Sequence, residues 1–138
     1  MVSQKTLKDL IDDYVDNDVI LKAMEEKLIY GIIVDQSEDT IRFQFSDADV
    51  LFYHNQDCCE SVVIDDINGN FEDMVGDMLL LAEERVSDDE TASESGTWTF
   101  YTFRSLRESV DVKWHGTSNG YYSERVDIDV VQSTLNMN

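Results

Sequence analysis

From Gly31 onward the apolar residues of this chain recur with a period of two, and this pattern restricts its fold more than any other feature. Ile41, Phe43 and Phe45, for example, alternate with polar side chains. Such alternation is typical of a strand with one face on the core and the other in water. Because short alternating runs recur between turn residues, we predict a mostly antiparallel β-sheet or a partly open barrel.

Turn residues divide this β-rich part into segments. The chain has no proline, so its turns depend on Gly, Asn, Asp and Ser. We predict a mobile acidic loop at 87–96, and a hairpin turn at Asn119-Gly120 that leads into the last strand. We predict a short helix at 71–75 and strands at 32–35, 40–45, 50–54, 61–67, 78–85, 97–103, 109–115 and 121–131.

The first residues have a different, helical period. Apolar side chains recur there at three- and four-residue spacing, which predicts an amphipathic helix at 5–16 and a second helix at about 18–28. Together they would form an N-terminal helical hairpin, so we predict an α+β fold. We expect one domain over 1–138, with a helical addition at 1–27, a β-rich core at 28–131 and a frayed tail at 132–138.

The charge is strongly negative and unevenly distributed. The net charge is −20, and residues 35–94 alone carry −16. Such a field repels nucleic acid and anionic membranes and attracts basic protein surfaces. We therefore expect a basic protein as the partner, with no direct binding of nucleic acid and no membrane association.

The residues also indicate a compartment. The first residues lack the apolar stretch of a signal peptide, and no apolar run is long enough to span a membrane. We therefore expect a cytoplasmic protein. The sequence leaves the oligomeric state open, and a homo-oligomer is compatible with it.

Residues 53–60 contain the most unusual group of reactive side chains. His54, Asp57, Cys58, Cys59 and the distant His115 are candidate metal ligands, but their spacing is not that of a chelating motif. Acidic neighbours also disfavour the thiolate form that catalysis needs. We therefore expect no metal, no cofactor and no enzyme. We predict two free structural thiols, in a loop that hydrogen bonds of His54 and Asp57 hold.

Several motifs resemble a known family when taken in order. They are Tyr53 to Val62, Asp65 to Gly69, Met78 to Glu84, Trp98 to Tyr101 and Ser118 to Ser123. On these motifs, residues 28–128 resemble a family of small phage and prophage proteins classed as a domain of unknown function. The resemblance implies a phage protein in the cytoplasm of an infected bacterium, a setting in which small acidic proteins often bind and block host proteins.

The acidic surface suggests the first functional hypothesis, a phage-encoded inhibitor that mimics DNA. Alternate residues of a strand lie about 6.7 Å apart, close to the spacing of about 7 Å between phosphates along a DNA strand. Two pairs have this i, i+2 spacing, Asp47 with Asp49 and Asp127 with Asp129. The expected partner is a basic nuclease, polymerase or chromatin protein of the host, and the expected contact residues are Asp9, Asp12, Asp13, Asp16, Asp47, Asp49, Asp65, Asp66, Glu72 and Asp73.

Two alternatives stay open on the sequence. One is a sponge that sequesters a host defence nucleotide through the cationic and aromatic residues of the C-terminal half. The other is a structural or regulatory phage protein that acts through an ordinary interface. The candidate ligand-binding residues of the sponge are Arg104, Arg107, Lys113, Tyr121 and Arg125.

Overall fold

The computed structural model of the protein describes residues 6–135. Within this range there are one α-helix, α1 (Asn17–Met24), two 3₁₀ turns, at Lys8–Leu10 and Phe71–Met74, and nine strands. The strands are β1 (Lys27–Leu28), β2 (Gly31–Asp35), β3 (Thr40–Gln44), β4 (Asp49–Tyr53), β5 (Ser61–Asn68), β6 (Met78–Asp88), β7 (Ser95–Ser105), β8 (Ser109–Ser118) and β9 (Asp127–Val131).

The strands form two antiparallel sheets. The larger sheet has the order β1-β6-β7-β8-β5, and the smaller has the order β2-β3-β4-β9. The chain crosses between the sheets three times, after β1, β4 and β8. The prediction of a mostly antiparallel β-structure is confirmed. The two sheets are not closed into a barrel, so that alternative is wrong.

The core lies between the two sheets and is rich in aromatic rings. Phe43 of β3 and Phe52 of β4 meet Phe103 of β7 at centroid distances of 4.8 and 5.4 Å. All three are fully buried. The period of two explains this arrangement, because it directs every second side chain of each strand into the space between the sheets.

The predicted helical hairpin is not present. Residue 5 lies outside the described part, and within 6–16 only Lys8–Leu10 is helical, as a 3₁₀ turn. The reason is the high aspartate content, because Asp side chains bond nearby backbone groups and so compete with helix formation. Asp9 accepts hydrogen bonds from the Thr6 backbone N–H and hydroxyl, a capping contact at the start of the short 3₁₀ turn. The second helix is confirmed as α1, which ends at Met24, before the predicted end at 28.

Two predictions in the C-terminal half are also corrected. The segment 87–96 is not a loop throughout, since β6 continues to Asp88 and β7 begins at Ser95. Asn119-Gly120 does not make a hairpin. β8 belongs to the larger sheet, whereas β9 is only five residues long and pairs with β4. Ile128 and Val130 of β9 are buried in the core, and this non-local packing prevails over the local turn signal.

Of the tail predicted to fray at 132–138, residues 136–138 lie outside the described part. Thr134 is fixed, because its hydroxyl is 2.7 Å from Oδ2 of Asp49. No helix within residues 6–135 is long and apolar enough to cross a membrane.

Candidate functional site

The segment 12–18 and strand β9 form the two walls of a surface groove. Three clefts adjoin one another there, the largest with a volume of about 360 Å³. Tyr14 borders all three and is fully exposed. We call this surface the acidic groove, after its lining carboxylates, which are Asp12, Asp13, Asp16, Asp18, Glu84, Asp127 and Asp129.

The first wall of the acidic groove is fixed at both ends. Leu10 is buried in the core before it. After it, the Asn17 side-chain amide donates to the Val126 carbonyl at 3.2 Å and to Glu84 Oε2 at 3.0 Å. Between these points Asp12 lies in the left-handed region, with φ of 65°, which Asp tolerates better than most residues. The aspartates of the wall are therefore held beside β9.

Glu84 connects the floor of the groove to the core. Its Oε2 atom accepts from the Tyr101 hydroxyl at 2.5 Å, and its Oε1 atom from the Arg125 guanidinium at 3.1 Å. The side chain of Glu84 is only 7% exposed. Burial, together with the Glu84 carboxylate, raises the pKa of Tyr101 well above its ordinary value, so the hydroxyl stays protonated as a donor. Glu84 thus has a structural role, and Arg125 is engaged by it.

The second wall presents two carboxylates on one face of β9. Asp127 accepts from the Asn55 backbone N–H at 3.0 Å, and Asp129 accepts from the Tyr53 hydroxyl at 2.6 Å. The hydrogen bond to Asp129 raises the pKa of Tyr53, which therefore remains a neutral donor. Asp129 is exposed at the rim of the groove.

A comparison with protein families finds a match that covers most of the chain. The model of a family described as a domain of unknown function (DUF7448) matches residues 26–128. The chain belongs to this family. No curated protein and no solved structure matches the chain.

The DUF7448 match begins just after α1 and ends at Ile128, within β9. It therefore contains eight of the strands in full, and it ends before the last three residues of β9. The segment 12–18, which forms the first wall of the acidic groove, lies outside the match. The groove thus combines residues of the DUF7448 domain with residues on both sides of the match, segment 12–18 before it and Asp129 after it.

The structure separates the acidic residues that the sequence proposed as one contact surface. Asp12, Asp13 and Asp16 line the groove, whereas Asp9 lies before it and bonds Thr6. Asp49 is fully buried, with Oδ2 at 2.8 Å from Arg42 Nε, so it is not available to a partner. The remaining five candidates lie away from the groove. Asp47 pairs with Lys27 at 3.0 Å, and Asp65 pairs with Lys113 at 3.6 Å. The other three are exposed: Asp66, Glu72 and Asp73.

The candidate residues of the sponge hypothesis are also dispersed. Arg107 donates to the Val75 carbonyl at 2.9 Å, and Arg125 pairs with Glu84 in the acidic groove. Lys113 lies over the Trp98 ring at 4.5 Å from its centroid, on the outer face of the larger sheet. Arg104 is exposed on β7, and Tyr121 is exposed in the turn after Gly120. These residues do not converge on one cleft of the described chain.

A second polar cluster organises the loop 54–60 between β4 and β5. The His54 ring lies 2.9 Å from a Glu60 carboxylate oxygen through Nε2, and 2.8 Å from the Arg125 carbonyl through Nδ1. The ring is thus held between two oxygen atoms, one from the loop itself and one from the segment that precedes β9. The hydrogen bond from His54, with those from the Cys58 and Asp57 backbone N–H groups, lowers the pKa of Glu60 to about 2.

Cys58 and Cys59 form a disulfide between adjacent residues, so the prediction of two free thiols is wrong. The prediction rested on the rarity of disulfides between adjacent residues and on a reducing cytoplasm. The structure instead places both in a turn that is folded around the Glu60 carboxylate. Within residues 6–135 no three His, Cys, Asp or Glu side chains are grouped so as to hold a metal ion.

The sequence interpretation missed Tyr14, Asp18 and Glu84 as groove residues. Tyr14 and Asp18 fall in the two predicted helices, and Glu84 falls in the predicted strand 78–85. No local pattern identifies Glu84, because its partners Asn17, Tyr101 and Arg125 are distant in sequence.

Proposed function

We propose that this protein is a phage-encoded inhibitor, active in the cytoplasm of an infected bacterium, that binds a basic, nucleic-acid-binding host protein through the acidic groove. The observation that carries the proposal is the groove itself. Its rim holds the exposed carboxylates Asp12, Asp16, Asp18 and Asp129 around the fully exposed ring of Tyr14. An array of negative charge around one aromatic side chain suits a surface rich in Lys and Arg.

Mimicry of DNA is supported by the spacing on the second wall. Asp127 and Asp129 follow each other on one face of β9, about 6.7 Å apart by the rise of a strand. Successive phosphates of a DNA strand lie about 7 Å apart. Since segment 12–18 is pinned to the β-structure by Asn17, the charges on the two walls keep a fixed relation, as charges on a duplex do.

The first experiment captures partners from a bacterial lysate on the immobilised protein at low salt. Bound proteins are then eluted with duplex DNA and identified. Mimicry predicts that DNA releases the partner. It also predicts that affinity falls at least about tenfold between 0.1 and 1 M salt, because the Debye length shrinks from about 10 to about 3 Å.

The second experiment tests the groove itself. The triple change Asp12→Asn, Asp16→Asn and Asp18→Asn removes three exposed charges of the first wall. We expect it to weaken binding about tenfold, from roughly 0.5 kcal/mol per exposed charge, mainly through slower association.

A matched triple change of exposed acids elsewhere is the control. Asp66→Asn, Glu72→Gln and Asp73→Asn alter the net charge equally but lie on β5 and on the 3₁₀ turn that follows it. We expect this variant to bind nearly as well as the parent. Equal losses in the two variants, or affinity that does not depend on salt, would contradict the proposal.

A further inference from the structure

The loop 54–60 exposes a disulfide at a crossing between the two sheets. Both Cys58 and Cys59 are exposed. The proposed binding of a basic protein uses neither of them. An exposed disulfide is accessible to thiols, which attack one of its sulfur atoms and form a mixed disulfide.

The loop around the disulfide is held by contacts that do not involve sulfur. The Glu60 carboxylate accepts from the Asp57 backbone N–H at 3.0 Å and from that of Cys58 at 2.9 Å. The Gln56 side-chain amide donates to the Glu60 carbonyl at 2.5 Å, and His54 bonds the carboxylate from the other side. These contacts persist when the sulfur–sulfur bond is broken, so the two sulfur atoms stay close enough to re-form it.

Cys59 borders a cleft. The cleft has a volume of about 500 Å³ and lies between the loop, the turn that joins β6 to β7 and the end of β8. Apart from Ala92 the other lining residues are polar, with Ser61, Ser95 and Thr117 among them and Glu60 and Glu94 as the acidic ones. A small molecule in this cleft would lie beside Cys59, and the exposed Glu94 carboxylate would give it a negative potential.

We propose that Cys58–Cys59 is a thiol–disulfide exchange site that takes a small cationic thiol, and that Cys59 is the sulfur attacked. The incoming thiolate forms a bond to Cys59 Sγ and breaks the disulfide, and Cys58 leaves as a thiolate that takes up a proton. A second thiol then attacks the mixed disulfide, which releases the oxidised small-molecule disulfide and leaves Cys59 as a thiol after protonation. The protein gains two electrons and two protons, and two small thiols lose them.

The test compares a cationic with an anionic probe thiol. Oxidised protein is treated with cysteamine or with 2-mercaptoethanesulfonate, and the reaction is quenched with acid and analysed by mass spectrometry. Each rate is divided by the rate of the same thiol with the uncharged disulfide of 2-mercaptoethanol, which removes their intrinsic difference in reactivity.

We expect the normalised rate of cysteamine to exceed that of the anionic thiol about tenfold at low salt. One local charge about 6 Å away in water changes each rate about threefold, in opposite directions for the two probes. The preference should largely vanish in 1 M salt. Glu94→Gln should reduce it, whereas Glu38→Gln, a matched change of an exposed acid in the β2–β3 turn, should leave it unchanged.

Peptide mapping locates the first mixed disulfide. The proposal requires the cysteamine adduct on Cys59. An adduct mainly on Cys58, equal normalised rates for the two thiols, or a disulfide that neither thiol reduces would overturn it.

Discussion

The Tyr101–Glu84 hydrogen bond joins the core to the acidic groove, and removing it should cost a measurable part of the stability. Tyr101 is 1% exposed, and its hydroxyl lies 2.5 Å from the Glu84 carboxylate. Tyr101→Phe deletes only the hydroxyl and leaves the ring packed against Phe52 and Phe103. The change therefore isolates one hydrogen bond to a charged acceptor.

The expected cost follows from the chemistry of that bond. A hydrogen bond to a charged group contributes about 1.5–3 kcal/mol to stability, and here the carboxylate left behind is itself buried. With a urea dependence of roughly 2 kcal/mol per molar for a domain of this size, the unfolding midpoint should fall by about 1 M. Equilibrium unfolding in urea, followed by tryptophan fluorescence, measures this shift.

Tyr53 offers a matched control. Its hydroxyl also donates to a carboxylate, that of Asp129, at 2.6 Å, but Asp129 is exposed. Since water replaces the lost partner there, Tyr53→Phe should cost less than about 1 kcal/mol. If the two Tyr→Phe variants lost equal stability, burial would not be the reason for the strength of the Tyr101 bond.

A double-mutant cycle tests the assignment of the partner. Tyr101→Phe and Glu84→Ala both remove this hydrogen bond, so their effects on the free energy of unfolding should be non-additive by about 1–3 kcal/mol. Additive effects would show that the Tyr101 hydroxyl is stabilised by some other group.

Three further predictions follow from the other contacts. The pKa of Glu60 is lowered to about 2 from an ordinary value of 4.5, so its contribution to stability is present above pH 4.5 and is lost as the pH falls through about 2. Glu60→Gln should remove this part of the pH dependence, which is measured as the free energy of unfolding at a series of acidic pH values. Gly116→Ala should cost about 1–3 kcal/mol in urea unfolding, since its Cβ would collide with the Glu124 carbonyl oxygen. Asp89→Ala should speed proteolytic cleavage within residues 90–94, because Asp89 holds that turn through Thr91 and His115; unchanged cleavage would show that the turn is held otherwise.

The sequence was sufficient to predict the strands in which apolar and polar side chains alternate. Phe43 and Phe52 lie where the period of two places them, on the buried faces of β3 and β4. The prediction of helix α1 succeeded for a similar reason, because Ile20, Leu21 and Met24 form one apolar face. These patterns are local, and packing in the core reinforces each of them.

The failures have non-local causes. Asn119-Gly120 is a good hairpin signal, but the chain after it crosses to the other sheet, where β9 pairs with β4. Asp49 was counted as a surface charge, although it is buried beside Arg42 of the neighbouring strand. The i, i+2 spacing of Asp47 and Asp49 held no information on this, because the burial of a charge depends on a partner that the topology supplies.

The same reasoning explains why the net charge of a sequence segment does not indicate where the acidic groove lies. Residues 35–94 carry −16, but several of their acids are used inside the fold: Asp49, Glu60 and Asp77 are buried and hydrogen-bonded, and the side chains of Glu84 and Asp89 are each only 7% exposed. The acidic groove instead draws most of its carboxylates from segments whose net charge is small.

The position of the groove also decides how its role must be tested. Its first wall lies outside the DUF7448 match, which invites a test by truncation to residues 26–128. Truncation would also remove Leu7, Leu10 and Ile20 from the core, so lost binding could then reflect lost stability. Substitution of the exposed aspartates leaves these apolar contacts in place. It is therefore the change that separates the charge of the wall from its contribution to the fold.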